Sequence, residues 1–248
     1  MIKTIDVLKI LDKYAPAMLA EDWDNSGWQI NLHNPYVKKI MVCLSVTEDV
    51  VNQAIDLGCD MIICHHPVIF NPLKKIQDMK IIKAIKNNIQ IFALHTNADK
   101  TKGGTSDMLA EHLLLREVAM INDYVRAGYL KYIMTLDEFI SKVKLQLNVT
   151  HIKLINEGAK NSIKNVAVCA GSGADFIEQL TRFNIDAYVT ADVKYHQALD
   201  TARFAVLDIG HFESEKPFVE RVTTLLRKAK GDKVEVVLAN EKPAWNIV

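Results

Sequence analysis

Apolar residues occur along this chain in short continuous runs that alternate with runs at helical spacing. The run at residues 39–44 is long enough for a buried strand, and apolar positions between residues 50 and 55 recur on one face of a helix. A second apolar run, Met61–Cys64, closes the segment. Strand, helix and strand joined by short connections favour parallel pairing with a right-handed crossover. The segment therefore predicts one unit of an α/β fold.

The same pattern occurs a second time. Val37–His66 aligns without gaps to Ile163–Asp192 at a constant offset of 126, with six identical positions. The similarity continues upstream, where Thr135 begins a capping-box pattern before an amphipathic helix, and downstream into further apolar runs. We therefore predict an α/β fold of two topologically similar halves from an internal repeat, residues 1–125 and 126–248, packed together across a soft boundary.

Polar clusters follow three of the predicted strands at the points where these strands end. In open α/β sheets ligands bind beyond the carboxyl ends of the strands, so all three clusters fall where a site is expected. The clusters are His65-His66, His95-x-x-x-Asp99 and His211-x-x-x-Glu215.

The residue types in these clusters predict a metal site between the halves. Imidazole and carboxylate together suit Zn, Fe, Mn, Co or Ni, and the clusters contain no thiolate. The donors exceed what one tetrahedral ion needs, and a carboxylate can bridge two ions about 3.5–4 Å apart. Adjacent His65 and His66 either serve two different ions or curve around one. We expect two divalent ions per chain, and the ligand types leave the choice among these metals open.

Three further segments have weaker patterns. Asp192–His196 occupies in the second half the place that His65-His66 holds in the first, which makes Lys194 and His196 candidates for contacting an anionic substrate. Asp22–Gly27 has turn chemistry and is read either as a turn or as a pocket rim. Gly103-Gly104 fits a phosphate cradle or a loop that caps a helix, and the second is favoured.

Composition narrows the class of protein and its partners. Lys+Arg and Asp+Glu both total 30, so the net charge of zero gives no global attraction to nucleic acid or anionic membranes. No apolar run approaches the roughly 20 residues of a membrane span, and the N-terminal residues lack a signal-peptide core. The expectation is a cytoplasmic protein without a membrane partner. Its four cysteines fit reduced core thiols.

Five motifs together resemble the GTP cyclohydrolase 1 type 2 homologues, also called the Ngg-one-interacting-factor-three-like family. This resemblance implies two interlinked α/β lobes, a toroidal homohexamer, and His95 beside the metals as a supporting or proton-transfer group. It also implies a dinuclear metal site at His65, His66, Asp99, His211 and Glu215. The motifs are DWDNSGWQ (22–29), CHHPVIF (64–70), HTNAD (95–99), TADVKYH (190–196) and GHFESE (210–215).

The function expected from these residues is a metal-dependent hydrolase acting on a nucleotide, of GTP cyclohydrolase type by resemblance. Two ions would make hydroxide available near pH 7, and hydroxide would attack C8 of the purine. His95 is the candidate general acid/base, since histidine has an ordinary pKa of about 6.5. One alternative is a non-enzymatic metal-binding or regulatory interaction protein, because no nucleotide fingerprint is present. Another is a metal-dependent phosphoesterase acting on nucleotides or single-stranded nucleic acid.

Overall fold

A computed structural model describes residues 1–199 and 203–245 of the chain. Within these ranges the strands alternate with helices through most of the chain. The strands are β1 (Ile2–Lys3), β2 (Gly27–Ile30), β3 (Tyr36–Val37), β4 (Lys39–Cys43), β5 (Met61–Cys64), β6 (Gln90–Ala93), β7 (Arg116–Met120), β8 (Arg126–Thr135), β9 (Lys153–Ile155), β10 (Ser162–Ser172), β11 (Ala187–Ala191), β12 (Ala205–Asp208) and β13 (Glu235–Leu238).

The helices range from one turn to four turns in length. They are α1 (Thr4–Tyr14), α2 (Glu48–Asp56), α3 (Met79–Lys86), α4 (Thr96–Lys100), α5 (Thr105–His112), α6 (Leu136–Leu147), α7 (Ile177–Leu180), α8 (Tyr195–Leu199), α9 (His211–Glu215) and α10 (Pro217–Lys230). None of the helices in the described ranges combines the length and apolar character that crossing a membrane requires.

The contacts divide the chain into two compact units. The first unit consists of Met1–Thr101 with Phe218–Lys242, and the second consists of Lys102–Pro217 with the chain from Pro243. The boundary predicted near residue 125 concerns the sequence repeat and stays a prediction.

The sheet of the first unit has the order β13-β4-β5-β6-β2. β13, β4, β5 and β6 run parallel, and β2 pairs antiparallel with β6 at the edge. β4 and β5 are almost entirely apolar because helices cover both faces of such a sheet, and all residues from Ile40 to Cys43 are buried. The carboxyl ends of β5 and β6 therefore open onto the same edge.

The sheet of the second unit has the order β7-β8-β10-β11-β12-β9. β10, β11 and β12 run parallel, while β8 and β9 pair antiparallel on either side of them. Val166 pairs with Ala187 here, as Ile40 pairs with Met61 in the first unit, so both parallel pairs have the register that the offset of 126 requires. The mixed α/β class predicted from the sequence is confirmed.

Local signals in the sequence determine where several helices begin and end. Thr47 caps α2 by accepting a hydrogen bond from Val50 N at 3.1 Å, a role that threonine side chains commonly have at helix N-termini. The capping box predicted at Thr135 is present, with Glu138 as its partner. Helix α5 begins at Thr105, directly after Gly104, and ends at His112.

The four cysteines are buried free thiols, as predicted. They are Cys43, Cys59, Cys64 and Cys169. Burial raises the pKa of Cys59 to about 11. Burial also raises the pKa of Cys43 well above its ordinary range. These thiols are therefore packing residues of the core.

Candidate metal centre

His65 directly follows β5 and is fully buried. Its Nδ1 donates a hydrogen bond to the carbonyl oxygen of Leu94 at 2.7 Å, which fixes the ring tautomer. The other nitrogen, Nε2, lies 3.5 Å from Oδ1 of Asp99. The ring packs on Phe218 at a centroid distance of 4.9 Å. A histidine held in this way by a backbone carbonyl presents Nε2 as its ligating atom.

His66 is oriented through a chain of contacts that begins near the end of the first unit. Its Nδ1 lies 2.8 Å from the hydroxyl oxygen of Ser45. Ser45 is fixed in turn, because the carboxylate of Glu241 accepts hydrogen bonds from Ser45 N at 2.8 Å and Leu44 N at 2.6 Å. The end of β4 is therefore tied to the ring of His66.

His95 is paired with a buried carboxylate. Its Nδ1 lies 2.7 Å from Oδ1 of Asp24, whose side chain is 0% exposed. Asp24 also accepts hydrogen bonds from Ser26 Oγ at 2.6 Å and from both the backbone N and Oγ1 of Thr96. Burial alone would raise the pKa of Asp24, but the bonds from His95, Ser26 and Thr96 hold it below its usual range. Asp24 is thus an ionised anchor for the His95 ring.

Three histidines of the first unit converge. One ring nitrogen from each of His65, His66 and His95 lies within 4.8 Å of the others. Asp99 comes from α4, four residues after His95, and its backbone N donates to His95 O at 3.1 Å. The His95-x-x-x-Asp99 spacing is therefore helical, which places both side chains on one side of a single turn.

His211 and Glu215 form the equivalent pair in the second unit, at the two ends of α9. His211 Nδ1 lies 2.7 Å from Asp192 Oδ2, and His211 Nε2 lies 3.0 Å from Glu215 Oε2. Burial alone would lower the pKa of His211, but the hydrogen bonds and charges of Glu215 and Asp192 raise it to about 10. Both carboxylates therefore favour the protonated form of the His211 ring.

Gly171 supports Glu215 from the end of β10. Its φ is +68°, and a Cβ at this position would overlap the Glu215 carboxylate. Gly171 N also donates to Ser214 Oγ at 2.8 Å, and Ser214 Oγ donates to His211 O at 2.8 Å. Only glycine allows α9 to approach the strand this closely while the backbone keeps this conformation.

All four histidines share one arrangement. Each Nδ1 is bonded to an oxygen, which leaves Nε2 as the nitrogen that can ligate an ion. The oxygens belong to Leu94, Ser45, Asp24 and Asp192. Metal-ligating histidines characteristically bond their second nitrogen to a carbonyl, carboxylate or other oxygen. The donor set of imidazoles and carboxylates therefore fits first-row divalent ions in both units.

A family model for Duf34/NIF3 (NGG1p interacting factor 3) matches residues 2–244. This chain belongs to the Duf34/NIF3 family. The family predicted from the five motifs is thereby confirmed. A Clostridium acetobutylicum protein named GTP cyclohydrolase 1 type 2 homolog is 35% identical over 246 residues, which are 93% of this chain and 90% of that protein. A Clostridium perfringens protein of the same name is 30% identical over 254 residues, covering 96% of this chain and 97% of the other.

Solved structures resemble the Duf34/NIF3 chain over its whole length. A hypothetical protein from Staphylococcus aureus superposes with a TM-score of 0.91 at 26% identity and covers 99% of both chains. A Bacillus cereus protein described as related to NIF3 has a TM-score of 0.91 at 24% identity, covering 100% of this chain and 99% of the other. At 24% identity, the similarity to the Bacillus cereus protein shows a shared fold and nothing more.

The predicted site residues of this Duf34/NIF3 chain fall into two groups, one in each unit. The first unit holds His65, His66 and Asp99 around the converging imidazoles, with His95 beside them. The second unit holds His211 and Glu215 on α9. Lys194 lies directly before α8 and His196 lies in it; both are exposed, and their role in substrate contact stays a prediction.

Sequence reasoning missed several residues that orient the histidines. Asp24 lies in the segment read as a turn or a pocket rim, and no spacing rule connects it with His95, which is 71 positions later. No pattern in the sequence connects Ser45 or Glu241 with His66. Asp192 was noticed for its position opposite His66 in the repeat, which was the one available signal for its contact with His211.

Proposed function

We propose that this Duf34/NIF3 chain is a hydrolase that holds two divalent metal ions and acts on a nucleotide, as a GTP cyclohydrolase does. The observation that carries the proposal is the shared bonding of the four histidines, whose Nδ1 atoms are each held by an oxygen. The nucleotide substrate is supported by the relatives named GTP cyclohydrolase 1 type 2 homolog.

The proposal assigns the donors of both units to one dinuclear site. His211 and Glu215 alone are too few for an ion that prefers at least four ligands. The proposed ligands are His65, His66, Asp99, His211 and Glu215.

His95 is proposed as the proton-transfer group beside these ligands. Two such ions, when bound, supply a water that ionises near neutral pH. Asp24 holds Nδ1 of His95 at 2.7 Å, so that Nε2 is the atom that takes or gives a proton during hydrolysis. The 15% exposure of the His95 side chain leaves it reachable by a substrate.

Lys194 and His196 are proposed to contact an anionic part of the substrate. Both are exposed, and they follow Asp192, the residue that orients His211. Lys194→Met should raise KM for a phosphorylated substrate several-fold with little change in kcat. An unchanged KM would remove Lys194 from the proposal.

The first experiment measures metal per chain by elemental analysis of protein purified without chelator or affinity tag. About two first-row ions are expected. The double variant His66→Ala/Asp99→Ala should lose them. His33→Asn is the matched control, because His33 is exposed and belongs to none of the predicted clusters. Its φ of 57° is one that asparagine also adopts. No bound metal after reconstitution with Fe, Mn, Zn or Co would contradict the proposal.

A second experiment tests turnover. Asp99→Asn and Glu215→Gln should abolish hydrolysis of GTP while the far-ultraviolet circular dichroism stays unchanged. Full activity in both variants would show that the mechanism is wrong. Metal that binds tightly without turnover on nucleotides or phosphoesters would favour the non-enzymatic alternative. Turnover of phosphoesters alone would favour the phosphoesterase alternative.

The proposed assembly is a homohexamer. Its support is that this chain belongs to the Duf34/NIF3 family, because resemblance to that family implies a toroidal homohexamer. Sedimentation equilibrium should give a mass six times that of the 28.0 kDa chain. A monomer or dimer at micromolar concentration would contradict this assembly.

A further inference from the structure

Two large aromatic side chains stand exposed beside the histidines of the first unit. Trp23 is 63% exposed and Phe70 is 53% exposed. Their ring centroids lie 6.1 Å apart, and each lies 6.3 Å from the centroid of His95. His95 meets both rings edge-on, at interplanar angles of 82° and 78°. We call Trp23, Phe70 and His95 the aromatic corner.

The two exposed rings are carried on backbone that is firmly tied together. Asn25 Nδ2 donates to the carbonyl oxygen of Ile69 at 2.6 Å, and Ile69 N donates to Gln29 Oε1 at 3.1 Å. Trp23 is adjacent to Asp24, whose carboxylate accepts four hydrogen bonds. The segments before Phe70 and after Trp23 thus hold each other in place. Exposed rings on such a support are pre-organised for a ligand, because little conformational entropy is lost when it binds.

The chemistry of the corner selects a flat ligand with a polar edge. An exposed indole or phenyl face gains about 1–3 kcal/mol when a nucleobase stacks on it. A base stacked on Trp23 or Phe70 has its perimeter next to His95, whose Nε2 lies on the side away from Asp24. A purely apolar ligand would offer no polar partner to Nε2 of His95.

We infer that the aromatic corner is the nucleobase-binding part of the site, with Trp23 and Phe70 stacking the base and His95 at its edge. The inference rests on the proposed function for its substrate class and adds the residues that recognise the base. Trp23 and Phe70 are base-binding residues here, and neither takes part in the proton transfer assigned to His95.

Equilibrium binding of guanosine monophosphate, adenosine monophosphate and ribose 5-phosphate tests the inference on metal-loaded protein. Both nucleotides should bind at least about tenfold more tightly than ribose 5-phosphate, since stacking tolerates either base. Trp23→Leu and Phe70→Leu should each reduce that advantage by about fivefold or more, while Trp23→Phe keeps most of it. Trp245→Leu is the matched control, because Trp245 is 60% exposed in the second unit.

Equal binding of ribose 5-phosphate and the nucleotides would overturn the inference, as would an advantage that survives both leucine variants. Acrylamide quenching adds a separate check on Trp28→Phe/Trp245→Phe, in which Trp23 is the only one of the three tryptophans left. Trp23 should be quenched freely without ligand and protected by guanosine monophosphate. Protection without ligand would mean that another copy of the chain covers the corner, which also overturns the inference.

The same samples separate this inference from the proposed function. Metal-dependent hydrolysis with an unchanged KM in Trp23→Leu would contradict base binding by the aromatic corner and would support the hydrolase function. If Trp23→Leu weakens base-dependent binding and no hydrolysis is detected, the hydrolase function is contradicted and base binding by the aromatic corner is supported.

Discussion

The four histidines of the candidate centre are held by oxygens of three kinds. His65 bonds a backbone carbonyl and His66 a hydroxyl, whereas His95 and His211 bond carboxylates. A carbonyl accepts only, so it fixes the tautomer of His65 outright. A carboxylate fixes the tautomer and adds charge, so the surroundings of His95 and His211 respond to removal of a single negative group.

Asp24→Asn tests the positioning of His95. The amide is nearly isosteric, but its NH₂ group can donate to Nδ1 and stabilise the wrong tautomer, so kcat should fall about 10–100-fold with metal content and KM little changed. Steady-state kinetics with elemental analysis makes the measurement. Asp22→Asn, two residues earlier and exposed, is the matched control. A kcat equal to that of Asp22→Asn would deny Asp24 this role.

The pH dependence of the metal-free protein tests His211. Its pKa is raised to about 10 in the folded chain, against about 6.5 when unfolded. A raised pKa means that the protonated ring stabilises the fold, fully below pH 6.5 and progressively less as the pH rises to 10. The urea midpoint of chelator-treated protein should therefore fall across this window. In His211→Gln the fall should be smaller, and an identical fall would contradict the assignment.

At the scale of elements, the candidate ligands are concentrated where strands end. β5 delivers His65, β6 leads into α4, and β12 leads into α9. The short helices α4 and α9 each place a histidine and a carboxylate four residues apart. Such one-turn helices have little stability of their own, so their position depends on the strands and the side chains around them.

Gly171→Ala tests how closely α9 must approach β10. The added Cβ would overlap the Glu215 carboxylate, so the variant should lose metal and be destabilised by more than backbone strain alone, which costs about 1–2 kcal/mol. Gly58→Ala is the matched control, since its φ of +66° is nearly the same but nothing lies within 4 Å. Thermal unfolding and elemental analysis compare the two. Equal losses would mean that the contact with Glu215 is unimportant.

The sequence predicts elements better than contacts between them. Continuous apolar runs identify β4 and β5, and Thr135 with Glu138 identifies the start of α6, because these signals are local. β8 and β13 were not predicted. β8 pairs with β10 and β13 pairs with β4, and no local pattern in the sequence identifies these partner strands.

The candidate site shows the same division. Histidines and carboxylates at strand ends are visible as ligand types, so five ligands could be proposed from the sequence with the help of the family motifs. Their supports could not, because Asp24 and His95 are 71 positions apart and Ser45 and Glu241 are 196 apart. Side chains that meet only after folding leave no periodic trace.

At the scale of the whole molecule, balanced charge removes any general attraction to polyanions, so binding of a nucleotide has to come from local chemistry. The metal donors supply part of that chemistry in each unit, and the aromatic corner supplies a separate part in the first. Metal that binds only the folded chain is also expected to stabilise the fold.

Removal of metal should lower the thermal stability of the chain. Ions that bind only the folded state add about 2.7 kcal/mol when present at 100 times Kd, which corresponds to roughly 5–10 °C in Tm for a chain of this size. Differential scanning calorimetry before and after chelation measures the difference. His33→Asn should show the same shift as the unaltered protein, and His66→Ala/Asp99→Ala should show none. A Tm that chelation leaves unchanged would argue against metal bound by the folded protein.

The contact of Glu241 with Leu44 and Ser45 has a consequence for the order in which the protein matures. β13 pairs with β4, and Glu241 holds the amides next to His66, so residues near the end of the described chain complete a sheet that begins near its start. A nascent chain on the ribosome has made every proposed metal ligand once Glu215 is added, yet His66 still lacks its support. If the proposed ligands bind metal, we therefore expect stable loading only after the segment that carries Glu241 has left the exit tunnel.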